Sequence, residues 1–370
     1  MYAVTVQAET DLQNYWSYDE YLSLNPTQVE VVDHFAQRVR SDVTEHSLHL
    51  QKPIEIAVIY PGIQASDYWR RSVSSFEARL KEQRLPYRIT PHFTKPAVEV
   101  RLQEKIIEKA LQNDPDYLVF TLDAVRHERI IQRLIKKGRP KVIIQNATRP
   151  LKQWGSDQPF LYVGFDHAVG SQLLADKFIA EFPKGTDYAL FYGSRGFVSA
   201  ARGDTFRDRV AKDHNAHPTV SYYLDFDRER SRKAALHLIS RQKLPRYIYA
   251  CSTDIALGVI DAAKETGQLD QVSVNGWGGG GDELDALLKG ELDFTVMRMN
   301  DDNGVAMAEA IYLDMSGRSS EVPLIYSGDI VLVDKTTSPQ DVEKLKKRAF
   351  RYSSWWRSDV EGVLQSTLIN

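Results

Sequence analysis

Polar and aromatic side chains follow several apolar runs of the sequence, each at the point where a strand is expected to end. Gln64, Ser66 and Trp69 follow the apolar run 54–60 and its Pro-Gly turn, and Asn146 follows the run 141–145. Later runs are followed by Arg202, by Ser252, Thr253 and Asp254, by Trp277 and by Arg298. Aromatic faces pack on rings and neutral polar groups fix hydroxyls, so this set predicts a site for a small polyol.

The two arginines of this set constrain the charge of the ligand. A guanidinium group stays protonated in proteins, so Arg202 and Arg298 aimed into one cleft favour a ligand that carries negative charge. An alternative stays open at this point, because each arginine could instead pair with a nearby carboxylate, Asp204 or Asp301. In that case neither arginine would take part in binding.

Other patterns predict structure rather than chemistry. Ser252-Thr253-Asp254 is expected to cap a helix, and Trp69 and Trp277 could be core residues. The glycines at 278–281 lack the spacings GxGxxG and GxxxxGK[ST], so phosphate binding is not expected. The nine histidines show no metal-ligand spacing, and no Ser-His-Asp arrangement is apparent. We therefore predict no catalytic residues and no metal ligands.

The composition bounds the class of protein. A chain of 370 residues predicts two domains, and a net charge of -3 without long blocks of like charge argues against nucleic-acid partners and membrane patches. The sequence contains no uninterrupted run of 18 apolar residues, so no transmembrane helix is predicted. The single Cys251 excludes an intramolecular disulfide. The first eight residues lack the basic and apolar regions of a complete signal peptide, which neither shows nor excludes export.

Strand and helix patterns alternate from residue 53 onward. This alternation predicts an α/β fold of two doubly wound parallel-sheet domains, with a hinge and a ligand cleft between them. Strands are expected near 54–60, 87–93, 116–122 and 141–145, and a second series near 160–165, 187–192, 219–224, 246–250, 271–275 and 292–297. The expected units are an N-terminal helical extension over 1–52, a first domain over 53–154 plus 300–326, and a second over 155–299 plus 327–370.

Five motifs at these strand ends carry a family resemblance. They are Tyr-Pro-Gly-Ile-Gln-Ala-Ser-Asp-Tyr-Trp at 60–69, Gln-Asn-Ala-Thr at 145–148, Cys-Ser-Thr-Asp at 251–254, Asn-Gly-Trp-Gly-Gly-Gly at 275–280 and Thr-Val-Met-Arg-Met-Asn-Asp-Asp at 295–302. At these motifs the chain resembles the LuxP-type autoinducer-2 receptors, which belong to the ribose-binding-like periplasmic binding proteins. The resemblance implies a non-enzymatic periplasmic receptor for quorum sensing, with a type I binding-protein fold.

The resemblance also implies a ligand, a partner and roles for residues. The ligand would be autoinducer-2 as a furanosyl borate diester, with boron entering as part of the ligand and no separate cofactor. Arg202 and Arg298 would meet the negatively charged borate. Asp254, Asn146, Ser66 and Gln64 would fix ring hydroxyls, Trp69 and Trp277 would form walls, and Ser252 and Thr253 would complete the lining. The partner would be the periplasmic domain of a LuxQ-like membrane sensor histidine kinase.

Three other functions remain open from the sequence. A sugar-binding protein of an ABC transporter would share the same fold. A cytoplasmic transcriptional regulator could be built on the same two domains, although no helix-turn-helix pattern precedes Pro53. An enzyme on this scaffold has the least support, because no catalytic arrangement is apparent.

Overall fold

The computed structural model describes residues 12–43, 48–96, 100–122 and 125–354. The strands are β1 (Ile54–Tyr60), β2 (Tyr87–Phe93), β3 (Tyr117–Phe120), β4 (Lys141–Gln145), β5 (Leu161–Gly164), β6 (Tyr188–Tyr192), β7 (Pro218–Tyr223), β8 (Tyr247–Ala250), β9 (Ser273–Gly278), β10 (Phe294–Arg298), β11 (Ile325–Ser327) and β12 (Ile330–Asp334). The helices are α1 (Tyr18–Leu24), α2 (Thr27–Arg40), α3 (Tyr68–Glu82), α4 (Val100–Leu111), α5 (Val125–Lys137), α6 (His167–Glu181), α7 (Thr205–His214), α8 (Arg228–Ser240), α9 (Thr253–Glu265), α10 (Gly281–Leu288), α11 (Asp301–Met315) and α12 (Pro339–Ala349).

The strands form two sheets of six. The first has the order β11-β5-β4-β3-β1-β2 and the second the order β12-β10-β9-β8-β6-β7. All neighbouring strands pair in parallel except β12, which runs antiparallel to β10. The central strands are buried along almost their whole length, as expected for sheets covered by helices on both faces. The predicted fold class of two parallel-sheet α/β domains is confirmed.

The strand β5 belongs to the first sheet, where it pairs with β4 and β11. The prediction that a strand near 160–165 opens the second series is therefore wrong, and the expected boundary at 155 lies too early. The aperiodic segment 149–159 is a loop between neighbouring strands, whose Leu151 and Trp154 are buried in the first domain. The chain crosses between the sheets after β5, after β10 and between β11 and β12.

An N-terminal helical extension packs on the first domain, as its helical spacing predicts. A capping box of Ser17 and Glu20 begins α1, and α2 buries Phe35 and Val39 in the first core. Val29, in the first turn of α2, lies outside this core and is 42% exposed. Residues 1–11 and 44–47 of the expected extension lie outside the described residues.

A buried carboxylate joins three helices beneath this extension. Glu309 of α11 accepts a hydrogen bond from Nε of Arg79 on α3 at 2.6 Å and another from Nε of Arg38 on α2. The side chains of Glu309 and Arg79 are 2% and 1% exposed. A buried ion pair is costly to break, because the remaining charge loses its partner while still shielded from water.

We expect Glu309→Ala to lower the free energy of unfolding by roughly 3–5 kcal/mol, because the buried Nε of Arg79 loses its partner, while Glu82 reaches only Nη1 of that arginine, at 3.4 Å. Glu265→Ala is the matched control, since Glu265 pairs with Arg232 at the surface and is 55% exposed. The control should cost less than about 1 kcal/mol. Urea unfolding followed by circular dichroism measures both, and equal losses in the two variants would contradict a supporting role for the buried pair.

Candidate functional site

A cavity lies between the carboxyl ends of the two sheets and is partly open to solvent; the space not filled by atoms there, open solvent included, is about 490 Å³. The first domain contributes Pro61, Gln64, Ser66, Tyr68, Trp69, Pro96 and Asn146, and the second contributes Val198, Arg202, Phe226, Ser252, Thr253, Trp277 and Arg298. Nine of the ten residues predicted for the site are thus brought together, and Asp254 is the one that does not line the cavity.

The loop after β1 holds Gln64 and Ser66 at the cavity. Arg70 fixes its shape by donating hydrogen bonds to the carbonyl oxygens of Gly62 at 3.1 Å, Gln64 at 3.2 Å and Ser66 at 3.2 Å. The Gln64 amide nitrogen donates to the carbonyl of Pro61 at 2.6 Å. Arg70 was not predicted as a site residue. Its side chain binds backbone carbonyl oxygens of the loop, and a sequence does not show where those oxygens point.

Two aromatic residues begin α3 and form a wall of the cavity. The Trp69 ring lies 4.8 Å from the ring of Tyr60 and 4.7 Å from that of Tyr68. The Tyr68 hydroxyl accepts hydrogen bonds from Gln145 Nε2 at 3.3 Å and from Asn303 Nδ2 at 2.5 Å. Tyr68 was missed in the sequence, although its place beside Trp69 at the start of a helix was a usable signal.

Asn146 presents an unused acceptor to the cavity. Its backbone adopts a left-handed conformation with φ of 65°, which Asn tolerates better than most residues. The backbone amide of Asn146 donates to the carbonyl of Val163 at 2.8 Å, and this hydrogen bond holds the bend against β5. The side-chain Oδ1 is buried and has no hydrogen-bond partner among the residues that the structure describes. A buried acceptor of this kind calls for a donor such as a ligand hydroxyl.

Arg298 stands at the end of β10 with its guanidinium over an aromatic ring. The guanidinium carbon lies 4.0 Å from the ring centre of Tyr68, and the buried Nε has no partner within the described part of the chain. A glycine makes room for it, since a Cβ at Gly278 would lie 2.5 Å from the Arg298 terminal nitrogen. Gly278 has a φ of +141°, which side-chain-bearing residues rarely adopt.

Arg202 lies in the π-helical turn Ala200–Asp204, just before α7. Its guanidinium carbon is 3.7 Å from the ring centre of Trp277. Nε donates to Nδ1 of His167 at 3.3 Å, and one terminal nitrogen donates to the carbonyl of Cys251 at 2.9 Å. Burial, together with the nearby charge of Arg298, lowers the pKa of Arg202 to about 9. The two positive charges therefore repel each other in a site shielded from water.

The nearby carboxylates do not neutralise these arginines. Asp204 accepts hydrogen bonds from the Tyr192 hydroxyl at 2.6 Å and from Arg207 at 2.8 Å. Asp301 accepts hydrogen bonds from the backbone amides of Tyr352 and Ser353 and from the hydroxyl of Ser353, the last at 2.7 Å. The alternative that Arg202 and Arg298 pair with Asp204 and Asp301 is therefore wrong. Within the described ranges, neither arginine forms an ion pair with any carboxylate.

Three amides at the glycine-rich loop after β9 already donate to carboxylates. The buried carboxylate of Glu283 accepts from the amides of Trp277 at 3.0 Å and Gly279 at 2.8 Å. Asp67 of the first domain accepts from the amide of Gly281 at 3.3 Å across the cleft. An anion placed at this loop would meet two carboxylates, which agrees with the expectation that the loop does not bind phosphate.

Ser252 and Asp254 have different roles at the start of α9. The Ser252 hydroxyl accepts from the amide of Ile255 at 3.4 Å, so the predicted helix cap is present. The carboxylate of Asp254 reaches across the cleft and accepts from the first-domain amides of Ala65 at 2.8 Å and Ser66 at 3.2 Å. Both oxygens of Asp254 thus bind the opposing loop, whereas the sequence led us to expect them at a ligand hydroxyl.

The described ranges contain neither a cluster of metal-ligating side chains nor a membrane-spanning helix. Residues 12–43, 48–96, 100–122 and 125–354 contain no group of three or more His, Cys, Asp and Glu side chains placed to hold a metal ion. No helix in these ranges is both long and apolar enough to cross a membrane.

Comparison with known proteins identifies the architecture. A family model for the periplasmic binding protein domain matches residues 56–319. The ribose import binding proteins RbsB of Salmonella typhimurium and Escherichia coli are each 26% identical over 175 residues, which is 47% of this chain and 58% of theirs. The chain therefore spans less than two thirds of the length of these curated relatives.

Solved structures share the fold over a longer stretch. A solute binding protein of an ABC transporter from Bacillus halodurans, with bound myo-inositol, has a TM-score of 0.67 and 17% identity and covers 81% of this chain and 100% of its own. One from Agrobacterium vitis, bound with alpha-D-tagatopyranose, has a TM-score of 0.70 and 16% identity and covers 79% of this chain and 98% of its own. At these identities the likeness concerns the fold alone.

We expect the stability difference between the wild type and Asp254→Asn to depend on pH. Burial raises the pKa of Asp254 to about 6, against about 3.9 in an unfolded chain, so the folded state binds this proton more tightly. The stabilising contribution is fully present below about pH 4 and is lost as the pH rises through 6, for a total of about 3 kcal/mol.

Paired urea titrations of the wild type and Asp254→Asn between pH 4 and pH 7 measure this effect. The wild type should lose stability relative to the variant as the pH rises. Because both proteins carry the same remaining titratable groups, the difference at each pH reports on Asp254. A constant difference across the range, or one that moves in the opposite direction, would contradict the prediction.

Proposed function

The chain belongs to the periplasmic binding protein family, and we propose that it binds a small, negatively charged polyhydroxylated ligand in the cleft between its domains. Members of this family are typically ligand binders rather than enzymes, and membership indicates a periplasmic or other extracytoplasmic location. One observation carries the charge assignment. The guanidinium groups of Arg202 and Arg298 are buried in the cavity wall, and no carboxylate lines that cavity in the described structure.

The hydrogen-bonding groups of the cavity support an acceptor-rich ligand. A guanidinium has five N–H donors. Arg202 uses two of them on His167 and Cys251, which leaves three, while the guanidinium of Arg298 makes no hydrogen bond to the described residues. Hydrogen bonds to a charged group contribute roughly 1.5–3 kcal/mol each, against about 1 kcal/mol for neutral pairs. An anion would thus be favoured strongly over a neutral molecule of the same shape.

The ligand that we propose within this class is autoinducer-2 in its furanosyl borate form. Its borate carries the negative charge that the two arginines require, and its ring hydroxyls could donate to Asn146 Oδ1. The motif resemblance supports this choice, since nine of the ten residues that it implies line one cavity. In this proposal boron arrives with the ligand, and the protein needs no separate cofactor.

The signalling role is a proposal that rests on the same resemblance. Binding would favour the closed arrangement of the two domains to the extent that the ligand prefers it. A LuxQ-like membrane sensor histidine kinase would read the changed surface through its periplasmic domain.

A second candidate is a sugar-binding protein of an ABC transporter. The similar proteins favour it more than they favour the first candidate, because they include ribose import proteins and transporter proteins with bound myo-inositol or tagatopyranose. Trp69, Trp277, Tyr68 and Phe226 also supply aromatic faces suited to a sugar ring. A neutral sugar, however, would leave two desolvated positive charges without a counter-charge.

Calorimetric titration separates these candidates. Ligand-free protein is titrated with dihydroxypentanedione in borate-depleted buffer, then with borate restored, and with ribose in parallel. Tight binding that requires borate supports the autoinducer-2 proposal. Tight binding of ribose, or of dihydroxypentanedione without borate, contradicts it and supports a transport protein or a receptor for an unborated signal.

We expect Arg298→Ala to weaken binding of the borated ligand by roughly 10- to 100-fold, which corresponds to the loss of one charge-assisted contact. Arg195→Ala is the control, since Arg195 is an exposed arginine of the same domain that does not line the cavity. The control should retain wild-type affinity in the same calorimetric titration. Undiminished binding by Arg298→Ala would exclude the anion site.

A further inference from the structure

His167 lies between the two domains and touches the ligand-binding arginine of the second. It begins α6 and is 2% exposed. Its Nε2 lies 3.0 Å from the backbone carbonyl oxygen of Asn146, in the first domain. Its Nδ1 lies 3.3 Å from Nε of Arg202, in the second domain. One imidazole ring therefore links the backbone of one predicted ligand-binding residue to the side chain of another.

The two hydrogen-bond partners of the His167 ring determine which of its nitrogens carries the proton. The Arg202 Nε–H can only donate, so Nδ1 of His167 must be the acceptor, and the single proton of a neutral imidazole then lies on Nε2 and is donated to Asn146. A protonated ring would turn Nδ1–H toward the guanidinium. Burial lowers the pKa of His167 well below its usual value, and Arg202, Arg298 and Arg149 lower it further, while the Asn146 carbonyl opposes them.

A second chain of hydrogen bonds holds the same arginine from the same helix. Trp277 Nε1 donates to the Ser171 hydroxyl at 3.2 Å, and the Ser171 oxygen lies 2.9 Å from the Tyr249 hydroxyl. Tyr249 donates in turn to the backbone carbonyl of Arg202 at 3.0 Å. Ser171 lies one turn after His167 on α6, so both residues face the cleft wall from one side of the helix.

Aromatic contacts also hold the Arg202 guanidinium in place, since both His167 and Trp277 lie against it. The His167 ring meets the Trp277 ring edge-on, with centres 5.2 Å apart. The Arg202 guanidinium lies on that same Trp277 ring. The guanidinium is therefore bounded by the indole face, the imidazole Nδ1 and the Cys251 carbonyl, and its three remaining N–H donors are left for the cavity.

We infer that His167 is the positioning residue for Arg202, and that its neutral imidazole sets the selectivity of the cleft for anionic ligands. By accepting the Nε–H, the ring fixes the plane in which the free guanidinium donors point. This inference rests on the proposed function, since it assigns Arg202 to the charged part of the ligand. It predicts that His167 acts on binding chiefly through the contact of Nδ1 with Arg202, in addition to the contact of Nε2 with the Asn146 backbone.

A double-mutant cycle tests this dependence with dihydroxypentanedione plus borate as the probe. His167→Phe keeps the ring size but removes the acceptor, and we expect it to weaken binding about tenfold in calorimetry. His167→Asn can place an amide oxygen near the position of Nδ1 and should recover part of the loss. In an Arg202→Ala background, His167→Phe should cause a much smaller loss, because only the Nε2 contact with the Asn146 carbonyl is then removed. Losses that simply add, or no recovery with Asn, would overturn the inference.

His214 provides the matched control in the same domain. It is also buried, and its Nε2 lies 2.8 Å from the carbonyl oxygen of Phe182, but it does not line the cavity. His214→Phe should therefore keep the wild-type affinity even if it lowers stability. If it weakened binding as much as His167→Phe, the effect would be a general consequence of losing a core histidine, and the inference would fail.

A readout without ligand separates this inference from the proposed function. Nitrogen-15 NMR of the histidine side chains in ligand-free protein should show His167 neutral at pH 6, with its proton on Nε2, because burial and the nearby arginines hold its pKa well below the usual value. A His167 ring protonated at pH 6, or carrying its proton on Nδ1, would overturn the inference whatever the ligand is. If the wild type binds ribose rather than the borated ligand, the proposed function fails, and the same mutant cycle is measured with ribose.

Discussion

Two positive charges held on aromatic faces inside one cleft determine much of the surrounding structure. Arg202 lies on Trp277 and Arg298 on Tyr68, and contacts between a desolvated guanidinium and an aromatic ring contribute up to about 2 kcal/mol each. That attraction offsets only part of the cost of burying each charge. Neighbouring residues accommodate Arg298 in particular. Gly278 leaves room for its guanidinium, and hydrogen bonds to the Tyr68 hydroxyl hold the ring on which the guanidinium lies. An anionic ligand would supply the missing counter-charge.

The fold was largely readable because its strands are short apolar runs at regular spacing. Burial on both faces gives such runs to every central strand of a parallel sheet, whichever sheet the strand joins. For that reason the pattern located β5 correctly near 160–165 but could not show which sheet it completes. The loop 149–159 misled the boundary prediction, because proline and glycine mark a long loop as readily as a domain junction.

The lining of the cavity was readable where a residue lies at the end of a strand or just after it. Asn146, Arg298 and Trp277 could be found in this way, because parallel strands end at a common edge. Asp254 satisfies the same rule, yet its carboxylate binds the amides of the opposing domain, which depends on how closely the two domains approach. His167 was missed because its contribution consists of one contact on each side of the ring, and neither partner is near it in the sequence.

Two carboxylates bridge the mouth of the cleft in opposite directions. Asp254 of the second domain binds amides of Ala65 and Ser66, and Asp67 of the first binds the amide of Gly281. A molecule that leaves by separation of the two domains would have to wait for these bonds to break, although it need not touch either carboxylate. Its residence time would then depend partly on these contacts and not only on how well the cavity fits it. Two related proteins with identical cavities could thus differ in how long each stays occupied after the ligand outside has gone.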